Sequence, residues 1–288
     1  MAKRIIGIIL VVAALVTAVL GIVTAGKAPG NEEIIKNAVY VSDGKVLAEN
    51  EGKVVIVPGT LNADLPFVDK ETGIKLNSVV TYRKVEKLSI KEETEEKGET
   101  EIINEYWYWS MILDENRFGG SKKLIAPNVT LGEFSVAEEL LQALTANQNR
   151  TEYTDKKELN QMGWNVFTDN GKTYLYQDEH MPGHEEDTYL YYDKYNSYLH
   201  YVDTLRVSYD EMDDNLEYTV IGLQQNGQLV KAPELDLLAI HSGQLGAEDL
   251  LAYAASSSKT SLITSVVIAV VLAGLGALLI VKGGKKEK

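Results

Sequence analysis

The chain has 288 residues, a formal net charge of -14 and no cysteine. Without cysteine it has no disulfides, no thiolate chemistry and no cysteine-ligated zinc. Its acidic balance disfavours nucleic acid and anionic lipid headgroups, which basic surfaces attract.

Two long apolar segments lie near the chain ends, at residues 5–25 and 262–281, and neither contains a charged residue. A bilayer core about 30 Å thick is crossed by roughly 20 apolar residues in a helix, so both are predicted to be transmembrane helices. The first segment also resembles a secretory signal with a cleavage site at Val23-Thr24-Ala25. Signal cores usually span only about 7–15 residues, which favours an uncleaved anchor.

The flanking charges predict the orientation of these helices. Basic residues lie in 1–4 and 282–288, and an excess of Lys and Arg marks the cytoplasmic side. Both termini are therefore expected in the cytoplasm, with residues 26–261 outside it, in a bacterial cell membrane. That block lacks six of the 28 basic residues but only one of the 42 acidic ones, so it carries about -19.

The block is predicted to be one α+β domain, rich in strands and with one or two amphipathic helices. A short break at KAPGNEE (27–33) follows the first apolar segment. The runs at 79–90 and 100–113 form a predicted β-hairpin around a charged turn at 91–100, and Asn226-Gly227 is a predicted tight turn. Further strands are predicted at 53–57, 171–177, 187–193, 203–210 and 215–224.

Two stretches have helical periodicity. SVAEELLQALTAN (135–147) begins with Ser135 and has Glu138 three residues later, which is the pattern of a capping box. TDKKELNQM (154–162) is a second, shorter candidate. GAEDLLAYAASSSK (246–259) also favours helix and is expected to run into the second apolar segment.

No known catalytic motif is present, so no catalytic, cofactor or metal residue is assigned. The best metal candidate is QDEHMPGHEED (177–187), where His180 and His184 lie among carboxylates. Pro182 and Gly183 interrupt any helix there, and a solvated acidic loop is favoured. DEMDDNLE (210–217) lacks the spacing and glycine of an EF-hand and is interpreted as an acidic turn.

Aromatic residues are concentrated in YWYW (106–109) and YLYYDKYNSYLHY (189–201). Both faces of the second hairpin arm are expected to be covered. Such residues could line a pocket or a partner surface. Aromatic residues are also common in β-strands generally, and this ordinary structural role is favoured.

Small residues recur every fourth position in both apolar segments, a spacing that lets helices approach closely. They are Ala13, Thr17, Gly21, Ala25, Ser265, Ala269, Ala273 and Ala277.

Several segments, in order and covering most of residues 45–265, resemble the transmembrane protein 43 family, also called LUMA. They are NEGKVVIVPGTL, GIKLNSVVTYRKVEKLSIKEE, NEYWYWSMILDENRFG, LGEFSVAEELLQAL, LRVSYDEMDDNLEYTVIGLQQNGQLVKA and LLAIHSGQLGAEDLLAYAASSSKTSLI.

The resemblance implies a large lumenal domain between membrane segments and a role in organising partners, which in animal members are emerin and lamins. It implies no enzymatic activity and supplies no catalytic residues. His241 lies where the family tends to place histidine, and a packed or turn histidine explains it equally well. Animal members have several spans after the domain, whereas this chain has one, so contacts made by the extra spans do not carry over. A short bacterial member is expected.

The sequence therefore predicts a non-enzymatic membrane protein whose outer domain is a scaffold or sensor, binding a protein partner or assembling with itself. One alternative is a module that binds a small ligand or lipid through its aromatic strands. Another is a metal-dependent hydrolase that uses His180 and His184.

Overall fold

The computed structural model describes residues 2–97, 100–113, 118–153, 156–177, 190–193, 198–201, 205–213, 215–233, 235 and 239–284. Its helices are α1 (Ala2–Asn37), α2 (Glu138–Leu141), α3 (Lys156–Gln161) and α4 (Ala247–Gly284), and a short 3₁₀ turn covers Ala48–Asn50. The first nine strands are β1 (Val39–Tyr40), β2 (Val54–Asn62), β3 (Phe67–Val68), β4 (Lys75–Leu76), β5 (Val80–Lys97), β6 (Thr100–Met111), β7 (Lys122–Ile125), β8 (Thr130–Leu131) and β9 (Phe134–Val136). The others are β10 (Gln148–Asn149), β11 (Trp164–Asp169), β12 (Lys172–Gln177), β13 (Leu190–Asp193), β14 (Tyr198–Tyr201), β15 (Leu205–Glu211), β16 (Glu217–Gln225), β17 (Gln228–Val230) and β18 (Ile240–Ser242).

The chain forms two compact units, and the mixture of helix and strand agrees with the predicted class. Unit 1 comprises residues 1–60, 131–137 and 217–288, and unit 2 comprises residues 61–130 and 138–216. The domain boundaries expected from the sequence stay predictions.

Unit 1 combines α1 and α4 with a sheet of order β1-β2-β8-β9-β17-β16-β18. Strand β2 runs antiparallel to β16, with Val57 opposite Val220. Val55, Ile56 and Val57 are all fully buried, so both faces of β2 are covered. Each such side chain contributes roughly 1.5–3 kcal/mol through burial. Asn226 and Gly227 both have positive φ, as a tight hairpin turn requires, and confirm the predicted turn into β17.

Unit 2 is built on a sheet of order β11-β12-β15-β5-β6, with β10 beside β15 and β7 beside β5. Its apolar core surrounds Trp164, with Phe118 in a tilted ring contact at 5.0 Å. The predicted hairpin is confirmed, but its turn is shorter than expected. The β5–β6 ladder continues through the charged stretch until Lys97 pairs with Thr100.

Two predictions about helices are wrong. Helix α1 does not break at 27–33 but continues through Pro29 to Asn37. An interior proline costs about 3 kcal/mol, and burial of the apolar Ile35 in a following turn offsets much of this cost.

The predicted helix at 135–147 is also wrong, apart from the single turn of α2. Ser135 and Val136 instead pair in parallel with Gln228 and Leu229 of β17. The periodic leucines Leu140, Leu141 and Leu144 are buried, so their pattern marked burial rather than a long helix.

The prediction for residues 154–162 is confirmed by α3, and the strand predictions for 171–177, 203–210 and 215–224 by β12, β15 and β16. The stretch 246–259 does run without interruption into the second apolar segment, as α4.

Candidate functional site

The two long helices of unit 1 touch through glycine. A Cβ atom added at Gly7 would lie 2.7 Å from the carbonyl oxygen of Gly276, and one added at Gly276 would lie 2.7 Å from that of Gly7. Real Cβ contacts are essentially never this short, so each position accepts only hydrogen. Ala14 and Ala269 are also buried, which extends the close contact along both helices.

The predicted small-residue ladders are partly right. Ala269 is buried and Ala13, Thr17, Ser265 and Ala273 are partly buried, but Ala277 is exposed, and the contact runs through Gly276 instead. An α-helix has 3.6 residues per turn, so residues spaced strictly every four positions rotate gradually around its axis. The buried face therefore passes from one position to the neighbouring one. The hydroxyl of Thr17 donates to the carbonyl oxygen of Ala13 at 2.9 Å, so it needs no partner outside its own helix. The side chains of Gly21 and Ala25 lie outside the described residues.

The outer surfaces of α1 and α4 are apolar. Ile263–Val281 is long and apolar enough to cross a membrane, with a mean hydropathy of 2.7. Ile5–Leu20 forms a shorter apolar stretch. The large exposed side chains are Ile5, Ile6, Ile8, Ile9, Val12, Leu15, Val16, Val19 and Leu20 on α1, and Ile263, Val266, Val267, Ile268, Val270, Val271, Leu275, Leu278 and Val281 on α4. Small residues thus face inward and bulky ones outward, the reverse of a water-soluble helix pair.

Unit 2 contains a buried polar cluster. The Nη1 atom of Arg83 donates to both carboxylate oxygens of Asp69, at 2.6 and 2.7 Å, and both side chains are essentially inaccessible. The Tyr209 hydroxyl donates to Asp69 at 2.9 Å, and Thr72 donates to the same oxygen at 3.1 Å. The Nε atom of Arg83 donates to the Gly120 carbonyl oxygen at 2.9 Å.

The local fold explains how this cluster forms. Asp69 begins a tight turn in which the Gly73 amide donates to the Asp69 carbonyl oxygen at 2.7 Å. Gly73 has φ of 76°, which favours glycine, and Trp164 donates its indole N–H to the Thr72 carbonyl oxygen at 3.0 Å. Burial, and then the Asp69 charge, raise the pKa of Tyr209 well above its usual value, so its hydroxyl stays protonated. The cluster fixes the turn to the sheet.

A second cationic side chain in unit 2 lies between two aromatic rings. The guanidinium carbon of Arg206 is 3.9 Å from the ring centre of Trp109 and 3.8 Å from that of Tyr174. Its Nε atom also donates to Glu86 at 2.8 Å. Trp109 thereby joins β6 to β12 and β15, which firmly fixes the base of the hairpin.

Among the described residues, the pairing of β5 with β15 ends at Lys87, and strands β5 and β6 continue together as a ribbon. We call residues 88–109 the ribbon. Tyr106 and Tyr108 are 49% and 47% exposed, so the expectation that both faces of this arm are covered is wrong. Tyr106 and Tyr108 are exposed because no described strand or helix of unit 2 packs over them.

The described part of unit 2 contains an open groove of about 460 Å³. Apolar residues Phe67, Val68, Leu124, Ile125 and Pro127 line it together with Asp69, Lys70, Glu71 and Lys122. Lys122 is paired with Glu71 at 2.9 Å on its rim. The aromatic segments identified in the sequence do not line it.

The histidines and acidic residues considered as metal ligands form no metal site among the described residues. His180 and His184 lie outside the described residues, and residues 2–97, 100–113 and the other described ranges contain no group of three metal-ligating side chains. Asp210 is paired with Lys84 rather than with neighbouring acids. His241 is buried in β18, and its ring centre lies 4.7 Å from that of Tyr253. Of the two structural roles considered for it, packed or turn histidine, it has the first.

Comparison with known proteins gives one match. A family model described as Transmembrane protein 43 matches residues 81–283, which is more than half of the chain. No curated protein and no solved structure matches it. The matched range includes the ribbon, the Arg206 contact and the apolar stretch Ile263–Val281 of α4. The chain therefore belongs to the transmembrane protein 43 family.

Proposed function

We propose that this protein is a non-enzymatic membrane-anchored scaffold or sensor. Helices α1 and α4 cross the bilayer as a pair, and the folded part between them lies outside the cytoplasm, where it binds a protein partner or a second copy. The observation that carries the proposal is the inside-out helix pair, which buries glycine and alanine and exposes large aliphatic side chains.

Energetics favour lipid around this pair. Burial of one Val, Leu or Ile side chain contributes roughly 1.5–3 kcal/mol, so an aqueous surface of such residues would be strongly unfavourable. In the hydrocarbon core of a bilayer, exposed aliphatic side chains carry no such cost. Helices there associate through close packing rather than through the hydrophobic effect. Gly7 and Gly276 provide that packing. Family membership independently supports a membrane protein.

The terminal charges support the proposed orientation. Lys3 and Arg4 precede α1's apolar stretch, while Lys282, Lys285, Lys286 and Lys288 follow that of α4. Basic flanks at both ends of two spans therefore support a topology in which both termini lie in the cytoplasm.

The absence of cysteine makes this proposal directly testable. Single-cysteine variants at Ala2, Ser42, Thr145 and Lys286 would be treated in intact cells with a membrane-impermeant maleimide, with the cysteine-free parent as the blank. Ser42 and Thr145 are exposed in units 1 and 2, respectively.

We expect Ser42→Cys and Thr145→Cys to react in intact cells, and Ala2→Cys and Lys286→Cys to react only after permeabilisation. Equal labelling of all four sites before permeabilisation, or extraction of the protein by alkaline carbonate without detergent, would refute the anchor. Labelling at Lys286 but not at Ser42 would refute the orientation.

The groove in unit 2 favours a second candidate function, the binding of a small amphipathic ligand. Its apolar residues and the charged residues beside them suit a molecule with an aliphatic body and a polar end. Native mass spectrometry of the full chain, gently extracted from its own membrane, distinguishes the two. A lone chain with a reproducible small added mass supports the ligand binder, and a complex with another protein or with copies of itself supports the scaffold.

A further inference from the structure

One long edge of the ribbon, that of β6, is open as far as the described residues go. Strand β6 is the last strand on its side of the unit 2 sheet, and within the described residues its only partner is β5. A two-stranded ribbon is marginally stable alone in water, and an unpaired edge is a ready template for a further strand. The ribbon extends nine residues past Leu88, or about 30 Å at 3.3–3.4 Å per residue.

One hydrogen bond near the end of β6 shows which of its residues bond to β5 and which have backbone groups that point away from β5. The Ile112 amide donates to the Val85 carbonyl oxygen at 2.8 Å, so Ile112 and Val85 are a hydrogen-bonded pair. Such pairs alternate along an antiparallel ladder with pairs whose N–H and C=O groups point away from each other. The register is continuous from Glu86 opposite Met111 to Lys97 opposite Thr100. The backbone groups of Glu101, Ile103, Glu105 and Trp107 therefore point to the open edge.

The same part of the ribbon has an unusual charge. Residues 88–105 contain seven glutamates and two lysines. The register sets Glu92 opposite Glu105 and Glu96 opposite Glu101. Like charges directly opposite each other destabilise an antiparallel pair. A neighbouring strand that carries cations would relieve this repulsion, whereas a second copy of β6, which has no basic residue, would add to it.

We propose that the open edge of β6 binds an extended, lysine- or arginine-rich segment of a partner protein, which adds to the sheet as a further strand. Main-chain bonds to the outward groups at positions 101–107 hold the segment, and its cations occupy the positions in register with residues 101 and 105. This names the chemistry of the partner and rests on the proposed scaffold function.

The test uses the full chain in nanodiscs of uncharged phosphatidylcholine, so that a cationic probe does not bind the lipid. The probe is a fluorescent nonapeptide, KTVTKTVTK, whose lysines repeat every fourth residue, as do Glu101 and Glu105. The same peptide with glutamate in place of lysine is the control, and binding is followed by fluorescence anisotropy at two salt concentrations.

We expect the lysine peptide to bind, the glutamate peptide not to bind, and affinity to fall about tenfold or more between low and high salt. The Glu105→Pro variant removes an outward N–H without breaking the β5–β6 ladder, and we expect at least about a tenfold loss of affinity. The matched variant Glu105→Gln keeps that N–H and should lose only a few-fold. The Glu101→Lys/Glu105→Lys variant should reverse the peptide preference.

Equal binding of both peptides, or unchanged binding by Glu105→Pro and by the charge-reversed variant, would overturn the proposal. A dimer by native mass spectrometry that Glu105→Pro converts to a monomer would also overturn it, since the edge would then be occupied by a second copy. The peptide-binding experiment tests strand addition and the cysteine-labelling experiment tests the membrane topology, so either prediction can fail without the other. Reversed topology with intact peptide binding contradicts the placement alone, and the expected topology without binding contradicts strand addition alone.

Discussion

Removing the carboxylate of Asp69 should strongly destabilise unit 2. In Asp69→Ala, Arg83 keeps its charge at a fully buried site and loses both contacts of its Nη1 atom, while Tyr209 and Thr72 lose the acceptor that they share. Breaking a buried ion pair by removing one partner typically costs about 3–5 kcal/mol. With a urea m-value of about 2–3 kcal/mol/M for a unit of this size, the unfolding midpoint should fall by about 1–2 M.

The assay is urea unfolding of the full chain in lipid, followed by tryptophan fluorescence. All three tryptophans, Trp107, Trp109 and Trp164, belong to unit 2, so the signal reports that unit. The matched control is Asp69→Leu combined with Arg83→Met, which removes both charges and should recover most of the loss. A midpoint shift of Asp69→Ala below about 0.3 M, or a double variant as unstable as the sum of its single changes, would refute the reasoning.

Three other perturbations have defined outcomes. Gly276→Leu should lower the melting temperature of unit 1 in nanodiscs while Gly274→Leu, where an added Cβ meets nothing, should not; equal effects would contradict the glycine contact. The pKa of Tyr209 is raised in the folded state, so its contribution to stability is complete below the unfolded pKa of 10 and declines as pH rises above it. Alkaline unfolding should therefore become shallower in Tyr209→Phe, and an unchanged slope above pH 10 would count against this. Arg206→Lys should cost about 1–2 kcal/mol of unfolding free energy, because lysine cannot stack flat between two rings; full stability in urea would show that the stacking contributes nothing.

Local patterns predicted the elements that depend on local interactions. The β5–β6 hairpin, the Asn226-Gly227 turn and the continuous helix α4 follow from alternation, turn chemistry and apolar length. The stretch 135–147 was mispredicted because a distant strand competes for it. Its capping residue Ser135 pairs with Gln228, and a helical pattern in one segment carries no information about such a partner.

The buried cluster could not be assembled from the sequence because Asp69 and Tyr209 are 140 positions apart. Two signals pointed towards it. Alternation in VVTYRKVEK puts Arg83 on the same face as the buried Thr81 and Val85, where a cation requires a partner. The turn DKETG at 69–73 combines an aspartate with a glycine, which is typical of a side-chain-stabilised turn.

The division of unit 1 into three separate stretches of chain has a consequence for synthesis. Strand β2 leaves the ribosome early, but β16, its antiparallel partner, emerges only after the whole of unit 2. Unit 2 is complete at Leu216 and can fold as it emerges, whereas the buried run Val55–Val57 must wait without its partner strand. Helix α1 is likewise synthesised long before α4 arrives to cover Gly7. A ribosome that stalls within residues 217–260 would thus release a chain whose second unit is native and whose first unit is an aggregation hazard.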